Sequence, residues 1–154
     1  MLQKKPSPCM GCPLYGTGLG YVRDKFVEGA RVTISLSTPA KEEIEMGAAG
    51  YGGTWSTVEE RYLPILGQDA VNITHAVRCG KLVRKRDGTA RVVPFEDGKD
   101  DSLLLRAALW CRANDQPAKE GELTIAMGQA AFLKHSAHSD EIKGIYDWRG
   151  HLLP

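Results

Sequence analysis

The segment Arg31-Val-Thr-Ile-Ser-Leu36 decides the fold class, because apolar and polar side chains alternate along it and Gly29 and Pro39 bound it. Alternation with a period of two residues between turn-forming residues is typical of a β-strand. Ala70-Val-Asn-Ile-Thr74 and Leu123-Thr-Ile-Ala-Met127 predict a second and a third strand. Since helical segments separate the strands, the pattern favours parallel βαβ units with helices on both faces of the sheet. The sequence therefore predicts an α/β fold with a mostly parallel central sheet.

Helices are predicted in four stretches that lie between or after these strands. They cover residues 41–46, 56–66, 101–111 and 129–135. In the second stretch, Ser56 and Glu59 have the spacing of a capping box, which favours a helix start at Ser56. Pro64 should end or kink that helix, because proline has no backbone N–H to donate.

The whole chain, residues 1–154, has the size of a single domain. Within it, residues 1–29 are rich in Gly and Pro and predict an extended N-terminal loop that carries two of the cysteines. Residues 80–102 are charged and predict a basic surface insertion, with a hairpin about Asp87-Gly88.

Composition and charge limit the classes of function. The protein is 42% hydrophobic and 25% charged, with a net charge of +1, so it is not a histone-like polycation, and any nucleic-acid binding must come from a local patch. No apolar run approaches the roughly 20 residues needed to span a bilayer, so no membrane partner is expected. The N-terminal sequence MLQKKPSPC lacks the hydrophobic region of a secretory signal. We therefore expect a reducing, cytoplasmic setting, which is compatible with a bacterial or viral protein.

The chain has four cysteines, of which Cys9 and Cys12 form a C-x-x-C pair that can bind one metal from a tight turn. Cys79 follows a predicted strand and Cys111 ends a predicted helix, so both can be brought beside the N-terminal loop. Reducing conditions disfavour disulfides, and a zinc ribbon would normally supply a second close pair. Iron–sulfur clusters accept more widely spaced thiolates. Spacing alone leaves iron–sulfur, zinc and a site without Cys111 as open alternatives.

Short sequence motifs accompany the cysteines in a definite order along nearly the whole chain. Residues 9–14 read Cys-x-x-Cys-Pro-Leu, Phe26-Val-x-Gly29 precedes a strand, and Ile73-Thr74-x-x-Val77-x-Cys79 comes before a helix with the fourth cysteine. Ile125-Ala-Met-Gly128-x-Ala130-Ala131 and Arg149-Gly150 continue the pattern. In this order the motifs resemble the iron–sulfur uracil-DNA glycosylases, family 4 of the uracil-DNA glycosylase superfamily.

The resemblance implies a fold, a cofactor and a ligand. The fold is a three-layer α/β/α arrangement, and the ligand is DNA, either single-stranded or with an extruded base. The implied cofactor is a 4Fe–4S cluster, held by Cys9, Cys12, Cys79 and Cys111. The family's last strand and its His-Pro-Ser-type motif should follow Arg149-Gly150, whereas this sequence reads His151-Leu-Leu-Pro154. We therefore expect either a fold without the last strand or the front part of a longer protein.

The first motif of the family departs from its pattern here. Gly-Glu-Ala-Pro-Gly aligns with residues 36–40, where only Pro39 is kept and Ser37 replaces the acidic residue. Thr38 and Pro39 are the expected base-pocket residues beside it. A serine cannot act as a general base near neutral pH without an activator. Glu42 and Glu43 are close in sequence and can substitute for the carboxylate, although solvated positions on a helical turn are the more ordinary interpretation.

Two further positions differ from the family. Its aromatic residue, which stacks on uracil, falls near Gly50, so Tyr51 is the candidate platform for the base. Its uracil-reading asparagine is His75, whose imidazole can donate one hydrogen bond and accept one, but with a different shape and reach.

A basic run surrounds the third cysteine and is the candidate DNA-contacting surface. It consists of Arg78, Lys81, Arg84, Lys85, Arg86 and Arg91. Cations held together on a loop that a metal centre fixes suit contacts to phosphates. A charged loop of this kind can also be an ordinary solvated surface, and both interpretations stay open.

The cysteines and the changed motif residues together predict an iron–sulfur, DNA-binding, glycosylase-like domain that does not excise uracil and belongs to, or associates with, a DNA replication or repair protein. One alternative is an active, divergent glycosylase that hydrolyses the N-glycosidic bond of uracil or a modified base, with Ser37 and His75 as catalytic residues. The other is a zinc-stapled interaction domain without a nucleic-acid role.

Overall fold

A parallel three-stranded sheet forms the centre of the fold in this computed structural model, which describes residues 5, 7–16, 18–66, 71–95, 99–113 and 123–135. The sheet has β2 (Val32–Leu36) in the middle, flanked by β3 (Asn72–His75) and β6 (Leu123–Met127). Residues of β2 and β3 are buried throughout, as expected for parallel strands covered on both faces. The predictions of three strands and a parallel sheet are confirmed, although β3 lies slightly later than residues 70–74.

Helices cover this sheet and agree with the predicted stretches in three of the four places. The helices are α1 (Lys41–Met46), α2 (Gly52–Thr57), α3 (Leu63–Leu66), α4 (Asp101–Ala113) and α5 (Gln129–His135). On one face of the sheet, Ile34 and Ile73 pack with Ile44 of α1 in one apolar cluster. From β2, Ser35 contacts His135 of α5, and α4 packs against α5.

The predicted helix start at Ser56 is wrong. The helix begins at Gly52, with the extended backbone of Tyr51 as its N-cap, and continues through a π-helical segment, Val58–Tyr62, into α3. Trp55, which precedes Ser56, packs against the apolar cluster. Burial of its side chain therefore favours helical backbone upstream of the predicted capping box. The wide turn before Pro64 accommodates the missing backbone donor, and the chain stays helical through this proline.

The predicted insertion is part of a second sheet, which is antiparallel. Its strands are β1 (Gly18–Leu19), β4 (Gly80–Arg84) and β5 (Ala90–Val93), in the order β1-β4-β5. The hairpin about Asp87-Gly88 is confirmed, because Lys85 and Gly88 close a turn through a backbone hydrogen bond of 3.1 Å. The pairing with β1 is a tertiary contact that the sequence did not predict.

Within the described ranges, no helix combines the length and the hydropathy that crossing a bilayer requires. The segments matched above at Arg149-Gly150 and His151 lie outside the described residues.

Candidate functional site

The carboxyl ends of the parallel strands meet at one edge of the sheet, where ligands of open α/β sheets usually bind. A cavity of about 280 Å³ lies at this edge. Its lining comes from the end of β2 and the loop after it, from the end of β6 and from three other segments: residues 36–40, Met127, Gly128, Glu43, Thr54 and Pro94. The predicted pocket residues Ser37, Thr38 and Pro39 are therefore brought together at a cavity.

Ser37 directly follows β2, and its side chain lies against the end of β6 and Gly128. Its Oγ donates a long hydrogen bond, 3.4 Å, to the carbonyl of Met127. Gly128 has φ +98°, and a β-carbon on it would overlap the Ser37 Oγ. Glycine is thus required at this position, since it permits both the positive φ and the close approach of the two strand ends.

Glu43 is the buried carboxylate of the cavity, with only 1% of its surface exposed. Its Oε2 accepts a hydrogen bond of 2.8 Å from the backbone N–H of Ala40 and lies 3.0 Å from His75 Nε2. Its Oε1 accepts a hydrogen bond of 2.8 Å from the backbone N–H of Gly50. The interpretation of Glu43 as a solvated residue is wrong, because it joins α1, β3 and the loop before α2. Glu42, in contrast, is exposed.

The environment of Glu43 keeps it ionised. Burial raises its pKa, but the hydrogen bond and charge of His75 and the N–H donors of Ala40 and Gly50 outweigh burial and hold the pKa below its ordinary value. An ionised carboxylate only accepts hydrogen bonds, so His75 Nε2 donates to it.

His75 is fully buried, and its imidazole bonds to Glu43. Its Nδ1 is also buried and has no hydrogen-bond partner among the described residues. The carbonyl of His75 accepts a hydrogen bond of 3.2 Å from Lys134 Nζ. As placed, the imidazole has no surface at the cavity, and the base-reading role of His75 stays a prediction.

Tyr51 lines a different depression, which we call the Tyr51 groove and define by residues 23–26 and 48–51. The groove has a volume of about 520 Å³. The structure therefore separates the predicted aromatic platform from Ser37, Thr38 and Pro39. Gly50 lines the groove, while its N–H bonds to Glu43 of the cavity.

The segments that carry the four cysteines converge beside the carboxyl edge. Beyond the end of β3, Ala76 and Val77 donate backbone hydrogen bonds to Leu36 and Ser37, which fixes the loop leading to Cys79. Cys79 belongs to one apolar cluster with Leu14 of the N-terminal loop and Ala107 and Ala108 of α4, and Cys12 packs against this cluster.

The N-terminal loop also contacts α4 next to Cys111. Cys12 N–H donates to the Cys9 carbonyl at 3.0 Å, which closes the turn of the C-x-x-C pair. The ring of Trp110 lies against Gly11 within this turn, so closely that a β-carbon there would be 2.9 Å from it. The C-x-x-C pair is therefore a neighbour of Cys111, which follows Trp110 in α4.

The thiols interact electrostatically. Burial raises the pKa of the Cys79 thiol to about 12, Lys5 lowers it, and Cys111, Cys12 and Cys9 raise it further. Burial and Cys12 likewise raise the pKa of Cys9, against the opposing effects of Lys5 and Arg78. All four cysteines therefore lie in one neighbourhood.

As placed, the side chains do not form a single-ion site. Among the described residues, no group of three or more His, Cys, Asp or Glu side chains is arranged to hold a metal ion. The donor chemistry nevertheless suits a metal centre, because four thiols converge and the Leu14 N–H donates to Cys12 Sγ at 3.4 Å. Hydrogen bonds of this kind stabilise thiolate ligands.

The predicted basic residues divide into two groups. Arg78 forms an ion pair of 2.7 Å with Asp24, and Lys81 one of 2.6 Å with Asp100, and each of these two cations is half-buried. The remaining four are exposed around the β4–β5 turn: Arg84, Lys85, Arg86 and Arg91. Of the six predicted basic residues, the exposed ones are thus on the β4–β5 hairpin, which was not evident from the sequence.

No family model matches this chain, and no curated protein is significantly similar to it.

Proposed function

We propose that the chain is an iron–sulfur, DNA-binding domain of the uracil-DNA glycosylase type that does not excise uracil and works within or beside a DNA replication or repair protein. The observation that carries the proposal is the convergence of the four cysteine-bearing segments at the carboxyl edge of a parallel sheet. The motif order described above supports the same assignment.

The arrangement of helices is compatible with three layers. Apolar side chains of β2 and β3 pack with α1 on one face, while Ser35 of β2 contacts α5, against which α4 packs. A sheet with helices on both faces and a ligand cavity at its carboxyl edge is the architecture that the proposal needs.

The convergence of the thiols and the motif order together support a cluster. Cys9, Cys12, Cys79 and Cys111 lie in one neighbourhood beside the carboxyl edge, and iron–sulfur clusters accept four thiolates from widely spaced positions in a sequence. Zinc also accepts four thiolates, so metal analysis decides between the two. When bound, the cluster would join the N-terminal loop, the loop after β3 and α4.

The chemistry of the cavity supports binding without uracil excision. Ser37 occupies the place of the family's acidic residue and has no imidazole or amine within hydrogen-bond distance among the described residues to activate it. Glu43 is the carboxylate at this cavity, but three donors already bind it and lower its pKa. A carboxylate stabilised in this way is a weak base.

A second candidate function is an active glycosylase with a changed base preference. The observation that favours it is the position of Glu43, which lines the cavity with Pro39 and whose Oε1 accepts one hydrogen bond among the described residues. A carboxylate oxygen can accept a second one, from a water molecule. In this alternative Glu43 takes the place of the acidic residue that Ser37 replaced.

Purification without oxygen, followed by iron and zinc analysis, a visible spectrum and a base-release assay, tests the proposal. We expect a brown protein with about four irons per chain and no release of uracil from single-stranded DNA. A colourless protein with one zinc would favour the interaction domain. Release of uracil or of a modified base, lost in Glu43→Gln, would establish the second candidate.

The exposed cations of the hairpin are expected to supply the salt-dependent part of DNA binding. Joint replacement of Arg84, Lys85, Arg86 and Arg91 by alanine should make the negative slope of log affinity against log salt shallower by up to about 3. This corresponds to about 0.7 for each lost phosphate contact on single strands. Anisotropy titrations at several salt concentrations measure this slope. Lys41→Ala is the matched control for Arg86→Ala, since each removes one exposed cation and Lys41 lies outside the hairpin. Lys41→Ala should leave the slope unchanged, whereas Arg86→Ala should reduce it. Equal slopes for all these variants would contradict the role of the hairpin.

A further inference from the structure

The Tyr51 groove combines exposed aromatic side chains with cations. Phe26 is 74% exposed and Tyr51 is 42% exposed, and both line it. Single exposed aromatic residues are ordinary, but two that line one depression form a contiguous exposed apolar patch, which is typical of a binding surface. Ala48, Ala49 and Gly50 also line the groove, and the side chain of Lys25 lies against Gly50.

The charge of the groove is positive. Asp24, the one carboxylate among the described lining residues, is engaged by Arg78 at 2.7 Å and accepts a hydrogen bond from Thr74 Oγ1 at 2.9 Å, so its charge is compensated. Arg23 and Lys25 supply two cations to the same lining. Lys25 Nζ lies 4.5 Å from the centre of the Trp55 ring, which orients its side chain.

The backbone of the groove is held firmly in place. Arg23 donates to the Gly47 carbonyl at 3.1 Å and accepts from the Ala49 N–H at 2.8 Å. Lys25 and Ile73 exchange two backbone hydrogen bonds, of 2.9 and 2.8 Å. Because both walls are tied to each other and to β3, the aromatic side chains stand on a preorganised surface, which lowers the entropic cost of binding.

We propose that the Tyr51 groove binds single-stranded nucleic acid, with bases stacked on Phe26 and Tyr51 and phosphates contacted by Arg23 and Lys25. Stacking platforms beside cations are how proteins bind single strands with little sequence preference. This inference rests on the proposed function, in that DNA is taken as the ligand, and it adds a second contact surface to the hairpin. Gly50 of the groove donates its N–H to Glu43 of the cavity, so one buried carboxylate connects the walls of the two depressions.

Anisotropy titration of a fluorescein-labelled oligothymidylate of about 15 nucleotides tests the groove. Phe26→Ala and Tyr51→Ala are each expected to weaken binding roughly tenfold, and together roughly a hundredfold. Phe26→Ala should leave the salt slope unchanged, whereas Arg23→Ala should lower it by about 0.7. This difference in the salt slope distinguishes stacking from a charge contact. If these residues only supported the fold, the two substitutions would not differ in their salt slopes.

Two matched variants serve as controls. Tyr51→Phe keeps the ring and should retain the wild-type affinity, and Tyr62→Ala removes an exposed aromatic outside the groove and should have no effect. Because Phe26 and Tyr51 are exposed, their alanine variants should keep the wild-type melting temperature, and that measurement verifies folding.

The outcomes distinguish this inference from the proposed function. If the hairpin variant loses affinity while Phe26→Ala and Tyr51→Ala do not, the groove is overturned and the proposed function stands. If the wild-type protein binds no oligonucleotide at any salt concentration, both fall. If a labelled oligoglutamate binds as tightly, and Arg23→Ala but not Phe26→Ala weakens it, the groove is a site for acidic protein segments and the nucleic-acid assignment is overturned.

Discussion

Cys111→Ser is expected to abolish the iron content of protein purified without oxygen and to destabilise it by at least about 4 kcal/mol. On the order of 10 °C in melting temperature corresponds to this loss in a chain of this size. The reason is that Cys111 is the α4 ligand of the proposed cluster, and structural metal centres contribute directly to folding free energy. Iron analysis, the visible spectrum and urea unfolding measure the effect.

The same substitution in metal-free protein provides the control. Cys111 is only half-buried and serine has a similar size, so Cys111→Ser should cost less than about 1 kcal/mol when wild type and variant are both stripped of metal. A variant that keeps the full iron content would remove Cys111 from the ligand set. It would then be an ordinary helix residue, and the C-x-x-C pair would need other partners.

Glu43→Ala is expected to destabilise the protein by about 3–5 kcal/mol, independently of metal. The carboxylate accepts hydrogen bonds from Ala40, Gly50 and His75, and its removal leaves three buried donors without an acceptor. Urea unfolding in metal-free protein measures the change without a contribution from the cluster.

Glu42→Ala is the matched control, since Glu42 is the preceding glutamate on α1 and is exposed. Its effect should stay within about 0.5 kcal/mol. Similar losses for both substitutions would mean that Glu43 acts only through helix propensity, and its role as the link between α1, β3 and the loop before α2 would be wrong.

The pH dependence of stability gives a second measure of Glu43. Because its pKa is lower in the folded protein than the ordinary value of 4.5, its stabilisation is fully present above pH 4.5 and is lost as the pH falls through the lowered pKa. Glu43→Gln cannot titrate, so the loss of stability below pH 4.5 should be smaller in this variant. Parallel curves for the two proteins would contradict the lowered pKa.

The strands were predictable because their signals are local. Residues 31–36 alternate in polarity, and residues 123–127 form a short apolar run beside Gly128, so neither assignment needed tertiary information. The hairpin about Asp87-Gly88 was predictable for the same reason, since the turn residues themselves fix its geometry.

The cavity was predicted only in part, because its decisive contacts join distant residues. Ser37, Thr38 and Pro39 are consecutive in sequence and appeared as one candidate set. The pair Glu43–His75 spans 32 residues and the ion pair Asp24–Arg78 joins the N-terminal segment to the loop after β3, so neither could be read from spacing. One local signal for Glu43 existed: it lies at the third position of α1, where a glutamate can bond back to the N-cap backbone of Ala40. Without Ser or Thr at the cap, that signal was weak.

In the proposed iron–sulfur form, the ion pair between Arg78 and Asp24 would link the integrity of the cluster to DNA binding at the Tyr51 groove. Arg78 directly precedes Cys79, and the carboxylate it holds lines the Tyr51 groove. The backbone carbonyl of Arg78 also accepts a hydrogen bond of 2.7 Å from the N–H of Val22, the residue directly before the groove segment 23–26. Oxidative loss of the proposed cluster at Cys79 would release the loop that positions Arg78 and leave the charge of Asp24 uncompensated in the Tyr51 groove. Aeration of the purified protein would thereby weaken the proposed binding of a single strand to this groove, although none of its described lining residues is a cysteine.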